Sequence, residues 1–344
     1  MDFTCCFSIT YQPLLFRNKL CINNYVMTNC IFFLPTDKSN MTSLSENQEL
    51  LKAIIVGTLS TVPSVIFLYI NGTILFTLRS KAVFRDTSRY VLLYNLLLTD
   101  TLQLAQSQLH FLLSNCKVKM AYSICIFLNF LASLTTGISP LTLVVMPLER
   151  YVAVCFPLRH SSIITIRNTN VVIMAIWAVS SLNNLIRVLW FLKSSSEKIE
   201  IWKLKDLCSR VSFILGALTD EYDRAYTCVV FVSAGVAATF SYVGVIKAAR
   251  SASTNKALAN RARHTLLLNL IQLGLSLSST IYGPLVIGLS KILTRVAFSW
   301  VRNIFYVCFI IFPRCLSSLI YGLRDQTIRP VLLYYLCCSP KVRG

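Results

Sequence analysis

Residues 122–154 read YSICIFLNFLASLTTGISPLTLVVMPLERYVAV, and residues 122–148 contain no charged side chain. A helix that crosses the hydrocarbon core of a bilayer needs about 20 mainly apolar residues. This stretch is long enough to cross a membrane once, and its charged pair, Glu149 and Arg150, lies near one end. It therefore predicts a membrane-spanning helix with a charged terminus.

Six further apolar runs of similar length lie on both sides of this one. Together the seven runs are residues 52–78, 90–113, 122–154, 170–192, 223–246, 264–290 and 298–323. The connectors are short, apart from residues 193–222, and the chain has no internal repeat. We predict an all-α membrane protein in which a seven-transmembrane helix bundle at 52–323 follows an extracellular tail at 1–51 and precedes a cytoplasmic segment at 324–344.

The composition agrees with a membrane protein. Of the 344 residues, 55% are hydrophobic and 14% are charged, whereas an ordinary soluble domain has about 25% charged residues. These values exclude a disordered chain and disfavour a soluble globular fold. The 13 cysteines are too few for a disulfide scaffold, which would need more than about 8% of the residues.

The distribution of basic residues predicts the orientation of the bundle. Cytoplasmic segments of membrane proteins carry an excess of Lys and Arg. A modest excess of this kind favours an inside position for residues 79–89, 155–169, 247–263 and 324–344, and hence an extracellular N-terminus. The sequon Asn40-Met41-Thr42 agrees, because it places a glycosylation site in the N-terminal tail.

The net charge of +19 is divided among the loops. The densest inner cluster lies between the fifth and sixth runs and consists of Lys247, Arg250, Lys256, Arg261 and Arg263. Attraction to anionic cytoplasmic lipid is one interpretation, and a docking surface for a cytoplasmic protein is the other. Both stay open, whereas nucleic acid is disfavoured as a partner.

Catalytic and metal-binding patterns are absent from the sequence. It contains no GxSxG, HExxH or CxxC motif. The three histidines, His110, His160 and His264, lie in different segments, and His110 would face the other side of the membrane. A histidine-based metal or catalytic centre is therefore disfavoured, and we expect neither enzyme activity nor a cofactor.

The inner end of the third run reads MPLERYVAVCFPLRH at residues 146–160. This segment resembles the E/DRY segment of rhodopsin-like (class A) G-protein-coupled receptors, above all the longer odorant-receptor form MAYDRYVAIC followed by xPLRY. Three further sets match: the SYxxI segment of helix five (Ser241, Tyr242, Ile246), the KAFSTCxSH segment of helix six (Lys256, Ala257, His264), and the general landmarks Asn71, Asn95, Asp100 and Trp177. The resemblance covers roughly residues 52–338.

Several positions depart from the family pattern. The NPxxY motif of helix seven is replaced by SSLIY at residues 317–321, which keeps only Tyr321. The HTPMY segment is replaced at residues 86–90, and Ala234 stands at the usual proline of helix five. This pattern is most similar to the divergent fish odorant receptors.

The resemblance implies a receptor of the plasma membrane that binds a small-molecule odorant from outside and activates a heterotrimeric G-protein of the stimulatory type. In that family the acid of the E/DRY segment restrains the arginine until activation. The corresponding activation residues here are Glu149, Arg150, Tyr151, Tyr242, His264 and Tyr321. An arginine that only extends to lipid phosphate is the alternative for Arg150.

A charge pair is predicted within the membrane. At 1.5 Å per residue, Asp100 lies about 16 Å and Arg314 about 15 Å from the cytoplasmic ends of the second and seventh runs. The resemblance implies that these helices are neighbours and that a sodium ion usually lies near the aspartate. We hypothesise that the Arg314 guanidinium takes the place of that cation. The alternative is two separately hydrated polar residues.

The resemblance also implies a disulfide between the start of helix three and the second extracellular loop. Cys125 opens the third run, and Cys208 is the only cysteine in residues 193–222. An oxidising extracellular setting permits this bond. Cys116 is the competing partner.

Polar residues at helical spacing mark the outer halves of two runs. They are Asn129, Ser133 and Thr136 in the third run, and Asn269, Gln272, Ser276 and Ser279 in the sixth. Such stripes often form only interhelical hydrogen bonds. The other interpretation is a mainly apolar ligand pocket, with Tyr226 and Tyr282 as aromatic walls. Ala132 stands where amine-binding relatives carry an aspartate, although Asp223 could replace it.

The segment after the seventh run predicts a short amphipathic interfacial helix at residues 324–336. Cys337 and Cys338 follow as palmitoylation sites, with buried thiols as the alternative. Two other functions remain open: a non-olfactory peptide or lipid receptor of the same class, and a seven-span transporter or channel. A transporter would be expected to show repeats or broken helices.

Overall fold

The computed structural model describes residues 43–115, 118–156, 159–195, 205–251, 256–325, 327–330 and 332. Seven long helices account for most of these residues. They are α1 (Ser43–Ser80), α2 (Ser88–Asn115), α3 (Tyr122–Cys155), α4 (Ile166–Ser195), α5 (Cys208–Ser251), α6 (Lys256–Ser290) and α7, which comprises Arg295–Phe305, a π-helical turn Tyr306–Ile311 and Phe312–Arg324. Single helical turns, Ala82–Arg85 and His160–Ile163, follow α1 and α3.

Each of the seven predicted runs lies within one long helix, which confirms an all-α membrane protein. Among the described residues, five helices are long and apolar enough to cross a membrane: Gly57–Ser80, Tyr122–Cys155, Ile166–Trp190, Glu221–Lys247 and Trp300–Gly322. The two halves of α6, Leu270–Ser279 and Ile281–Ser290, meet at 42° and form a sixth span if they are counted together.

The helix α2 does not reach that hydropathy because polar side chains line one of its sides. The buried members of this polar side are Asn95, Thr99, Asp100, Gln103 and Gln108. Their hydrogen bonds include partners on α1 and α3. Polar groups that are bonded inside a bundle do not face lipid. Because this polar side is buried in the bundle, residues 90–113 form a helix of the bundle despite their modest mean hydropathy.

A buried apolar cluster joins six of the helices, and α5 contributes Val230 to it. Its members include Ile74, Leu96, Leu143, Leu277 and Tyr321, from α1, α2, α3, α6 and α7 respectively. Large apolar side chains are also exposed on the outer faces of the helices. Lipid tails are as apolar as these side chains, so exposed apolar faces are expected for membrane-spanning helices.

The helix α7 contains an irregular turn. The π-helical turn Tyr306–Ile311 lies directly before the segment in which Pro313 occupies the first turn. A proline has no N–H group and its ring collides with the carbonyl four residues earlier. A widened turn before the proline avoids that collision.

Two short strands align the N-terminal ends of α3 and α5. The strands β1 (Lys119–Ala121) and β2 (Lys205–Leu207) pair antiparallel, with Lys119 opposite Leu207. β1 directly precedes α3 and β2 directly precedes α5. The pairing therefore places the first residues of these two helices at the same edge of the bundle.

The amphipathic helix predicted after α7 is not confirmed. Residues 328–330 are helical, and Ile328 and Leu332 are buried in the apolar cluster. Gly322 of α7 permits this contact, because a Cβ atom there would lie 2.7 Å from Leu332 Cδ2. Most of the remaining predicted helix, with Cys337 and Cys338, lies outside the described residues, and so does Asn40.

Candidate functional site

The charged end of α3 forms an ion pair within one helix. Arg150 Nε lies 3.3 Å from Glu149 Oε2. Glu149 is buried and the side chain of Arg150 is partly buried. Arg150 Nη2 has no hydrogen-bond partner among the described residues. The structure thus places the two predicted activation residues together, with one donor of the arginine unused.

Tyr151 packs between α3 and α5. Its ring lies 5.2 Å from the ring of Phe240 and 6.0 Å from that of Phe156, measured between centroids. A Cβ atom on Gly244 of α5 would overlap the Tyr151 ring. The close approach of α3 and α5 therefore depends on the missing side chain at Gly244.

The other predicted activation residues lie on three different helices. Tyr321 of α7 donates a hydrogen bond to Met146 Sδ of α3 at 3.8 Å, so these two helices contact each other at that level. Tyr242 lies on α5 and is partly buried. His264 lies on α6, but its side chain is outside the described residues.

Asp325 ties the end of α7 to the start of α2, a contact that sequence reasoning did not find. Its carboxylate lies 3.2 Å from Arg89 Nη2 and accepts a hydrogen bond from Tyr90 Oη at 3.3 Å. It also accepts from the backbone N–H of Thr327 at 2.9 Å. Asp325 is one of few acids in the segments predicted to lie inside the cell. Because acids are scarce there, the sequence could have singled out this residue.

Asp100 and Arg314 are buried near each other but are not in direct contact. Asp100 is 3% and Arg314 1% exposed, and their charges attract each other. Arg314 donates from Nε and Nη2 to Gln103 Oε1, at 3.0 Å and 2.6 Å, and from Nη2 to Ser279 Oγ at 2.9 Å. The carboxylate of Asp100 instead accepts from Ser139 at 2.6 Å.

The predicted direct pairing therefore needs a correction. Gln103 lies one turn after Asp100 on α2, and its side-chain oxygen takes the guanidinium that was expected to meet the carboxylate. The arrangement keeps the two charges in one buried cluster without a shared hydrogen bond. Arg314 Nη1 has no partner within the described part of the chain.

The landmark residues Asn95 and Trp177 connect three helices. Trp177 Nε1 of α4 donates to Asn95 Oδ1 of α2 at 2.9 Å. Asn95 Nδ2 in turn donates to Thr142 Oγ1 of α3 at 3.0 Å. Asn71 of α1 accepts a hydrogen bond from Ser318 of α7. These bonds fix the helices around the buried charges.

Several side chains predicted to line a ligand pocket form hydrogen bonds within the bundle. Thr136 accepts from Gln103 at 2.8 Å, Ser279 accepts from Arg314, and Gln272 donates to Ser317. Asn129 donates to the backbone oxygen of Cys125 at 2.9 Å. The first three of these bonds join different helices and the fourth lies within α3, and a ligand-binding role for these residues stays a prediction.

Tyr282, Ser276 and Asn269 were also predicted to line the pocket, and all three lie on α6. Tyr282 of α6 lies 6.5 Å from the ring of Tyr306 in α7, which stacks on Phe111 at 5.6 Å. Ser276 is buried on α6, and its hydroxyl has no partner among the described residues. The side chain of Asn269 lies outside the described residues.

A polar cluster that includes Arg187 lies between α3, α4 and α5. Arg187 Nη1 donates to Ser133 Oγ at 3.0 Å, and Arg187 Nη2 lies 2.9 Å from Asp223 Oδ1. Tyr222 Oη donates to Asn183 Oδ1 at 2.8 Å, and the Tyr222 ring stacks on the ring of Tyr226. The structure thus brings the predicted residue Ser133 close to Arg187, which no sequence pattern had singled out.

Cys125 is buried and disulfide-bonded. The side chain of Cys208 lies outside the described residues, so its pairing with Cys125 stays a prediction. The backbone is favourable, because Cys208 directly follows β2, whose partner strand directly precedes α3. Among the described residues, no group of three or more His, Cys, Asp or Glu side chains could hold a metal ion.

Comparison with known proteins defines the class. The model of the seven-transmembrane receptor family (rhodopsin family) matches residues 71–321, which include the Glu149–Arg150 pair and both buried charges. The chain belongs to this family of G-protein-coupled receptors and is a multi-pass membrane protein. It is similar to a zebrafish (Danio rerio) protein named odorant receptor 131-2, with 33% identity over 280 residues, or 80% of this chain and 83% of that protein.

These matches confirm the resemblance found in the sequence. They place the chain in a receptor family of the fish odorant type rather than in an enzyme family. The Glu-Arg-Tyr triplet at residues 149–151 and the charges at Asp100 and Arg314 are therefore parts of a receptor.

Proposed function

We propose that this chain is an odorant receptor of the plasma membrane. It binds a small molecule from the extracellular side and activates a heterotrimeric G-protein of the stimulatory type on the cytoplasmic side. The similarity to a protein named odorant receptor 131-2 supports the ligand class. The family also favours a receptor over a transporter or channel, and the relative's name favours an odorant over a peptide or lipid.

The ion pair at the inner end of α3 is the observation on which this proposal depends. Glu149 holds Arg150 at 3.3 Å in a partly buried position, while one arginine nitrogen has no partner among the described residues. A charged group kept at the membrane boundary with unused hydrogen-bonding capacity is a functional candidate. Release of Arg150 from Glu149 would present the guanidinium to a G-protein.

Substitution of Arg150 tests the proposal. Cells expressing the receptor with an N-terminal epitope tag are exposed to a panel of small acids, aldehydes, alcohols and amines, and cAMP is measured. We expect at least one compound to raise cAMP, and the Arg150→Ala variant to lose this response at equal surface expression. Arg79→Ala is the matched control, because Arg79 is an exposed arginine in the last turn of α1. An unchanged response in Arg150→Ala would refute the role.

Two finer parts of the proposal have their own measurements. Antibody staining of the N-terminal tag in intact cells should succeed, whereas a tag inserted in residues 155–169 should be reached only after permeabilisation. Replacement of the stimulatory G-protein by promiscuous or inhibitory subunits separates coupling in general from coupling to the stimulatory type. Exposure of residues 155–169 at the outer surface would contradict the receptor topology.

A further inference from the structure

The helix α4 has a row of buried polar atoms without hydrogen-bond partners among the described residues. They are Ser180 Oγ, Asn184 Nδ2 and Arg187 Nε. Ser180 is 1% and Asn184 2% exposed. Their spacing of four and three residues places them on one side of the helix. Buried polar atoms are normally bonded, so three unpaired atoms in one row indicate a site for a polar ligand.

Both ends of the row lie against α3, and Arg187 also lies against α5. A Cβ atom on Gly137 of α3 would lie 3.3 Å from Ser180 Oγ and 4.0 Å from Tyr226 Oη of α5. Toward the outer end of the helices, Arg187 contacts Ser133 of α3 and lies 2.9 Å from the carboxylate of Asp223 on α5. The row therefore lies where α3, α4 and α5 meet, and the missing side chain at Gly137 lets α3 approach Ser180 closely.

The position of the row is suited to ligands from outside the cell. Arg187 lies 21 residues after the first residue of α4, which is about 32 Å along the helix axis at 1.5 Å per residue. This distance is similar to the thickness of the hydrocarbon core, about 30 Å. Arg187 is thus near the extracellular boundary, and its side chain is 25% exposed.

The unpaired atoms also define the chemistry of the ligand. Arg187 Nε and Asn184 Nδ2 are donors, and a carboxylate offers two oxygens that accept hydrogen bonds. Hydrogen bonds between a guanidinium and a carboxylate are charge-assisted and roughly twice as strong as neutral ones. The ring of Tyr226 offers an aromatic surface to a hydrocarbon chain.

We propose that the interhelical site formed by Ser180, Asn184, Arg187 and Tyr226 binds the carboxylate of a small organic acid. Arg187 and Asn184 donate to its oxygens, and its hydrocarbon chain lies toward Tyr226. The inference rests on the proposed function, since it names the ligand class of the receptor. The polar group of the ligand then lies against α4, a helix that was not predicted from the sequence to line the pocket.

Thermal unfolding of the purified full-length receptor tests the proposal without a G-protein. The probes are linear carboxylates from butanoate to decanoate, each compared with the alcohol of the same length, in a maltoside detergent. We expect a concentration-dependent rise of the unfolding midpoint with at least one acid and no rise with its alcohol. Phosphatidylglycerol is added separately, because its phosphate presents similar oxygens. A rise with the phospholipid alone would overturn the proposal.

Variants of this interhelical site give opposite expected shifts. Arg187→Gln should weaken the apparent affinity for the acid by about tenfold to a hundredfold, the value of one charge-assisted hydrogen bond. Asp223→Asn should strengthen it, because it removes a carboxylate that already occupies the guanidinium. Arg224→Gln is the control, since Arg224 is an exposed neighbour of Asp223. If Arg187→Gln does not fold, Arg187→Lys and Asn184→Leu replace it, and both should also bind the acid more weakly.

The binding assay separates this inference from the proposed function. Equal stabilisation by acid and alcohol, or none by any acid, overturns the carboxylate site whatever the signalling result. An unchanged affinity in the Arg187 and Asn184 variants overturns it as well. Stabilisation by an acid without any cAMP response would leave the site intact and contradict only the coupling proposed above.

Discussion

Replacement of Arg314 by methionine should destabilise the receptor strongly. The substitution keeps an unbranched side chain but removes the guanidinium that is 1% exposed and bonded to Gln103 and Ser279. Asp100, 3% exposed, then loses the positive charge nearest to it. Breaking a direct buried ion pair costs about 3 to 5 kcal/mol because the remaining charge is uncompensated. Here the two charges are not in direct contact, but Gln103 and Ser279 also lose charge-assisted hydrogen bonds, so we expect a cost in the same range.

This cost is large compared with the whole stability of a folded protein, about 5 to 15 kcal/mol. At about 2 to 4 °C per kcal/mol for a chain of this size class, the unfolding midpoint should fall by about 6 to 20 °C. Thermal unfolding in detergent measures the shift, and flow cytometry of a tagged receptor measures surface expression. Arg79→Met is the control, since Arg79 is exposed and should leave the midpoint nearly unchanged.

The double variant Asp100→Asn with Arg314→Met shows whether the loss is electrostatic. The amide that replaces the carboxylate in that variant can still accept from Ser139, and no charge remains in the cluster. We therefore expect the double variant to be more stable than Arg314→Met alone. A double-mutant cycle should give a coupling of about 0.5 to 3 kcal/mol, as for residues in one network. Equal stability of wild type and Arg314→Met, or strictly additive losses, would refute the compensation of Asp100 by Arg314.

Three further substitutions test contacts in the bundle by the same unfolding measurement. Gly244→Ala should lower the free energy of unfolding by about 1 to 3 kcal/mol because the new methyl group overlaps the Tyr151 ring. Gly235→Ala on the same helix, with no atom within 4 Å of its Cβ position, should instead stabilise the receptor by about 0.5 to 1 kcal/mol. A gain of stability in both variants would contradict the overlap. Asp325→Ala should cost about 1 to 2 kcal/mol through lost partners at the end of α7, and an unchanged midpoint would show that this contact is not formed. Trp177→Phe should cost about 1 kcal/mol by leaving the oxygen of Asn95 unpaired, whereas no loss would exclude that bond.

The helical architecture could be predicted from the sequence because lipid imposes a strict length and polarity on each spanning segment. All seven runs fall within long helices, including residues 90–113, in which Asp100 and three glutamines reduce the mean hydropathy. The Glu149–Arg150 contact could also be predicted, since the two residues are adjacent. The ends of the predicted runs agree less well with the helix ends, because α5 begins at Cys208 whereas the fifth run begins at residue 223.

The geometry of the buried charges could not be predicted from depth alone. Depth placed Asp100 and Arg314 at the same level, but the choice between the carboxylate and Gln103 as acceptor depends on side-chain conformations in the folded bundle. Arg187 could have been found, because a charged residue within an apolar run is by itself a functional candidate. For Asp223, the partner of Arg187, the sequence suggests only a role in binding an amine.

One row of α3 connects the polar clusters at different depths. Ser133 accepts from Arg187 of α4, Thr136 from Gln103 of α2, and Ser139 donates to Asp100 of α2. Residues three apart form a row that is inclined to the helix axis, so the row faces α4 nearer the start of α3 and faces α2 further along it. A ligand that draws Arg187 away from Ser133 therefore acts on the same row of α3 that holds Asp100, and the Arg187 and Arg314 clusters should respond together.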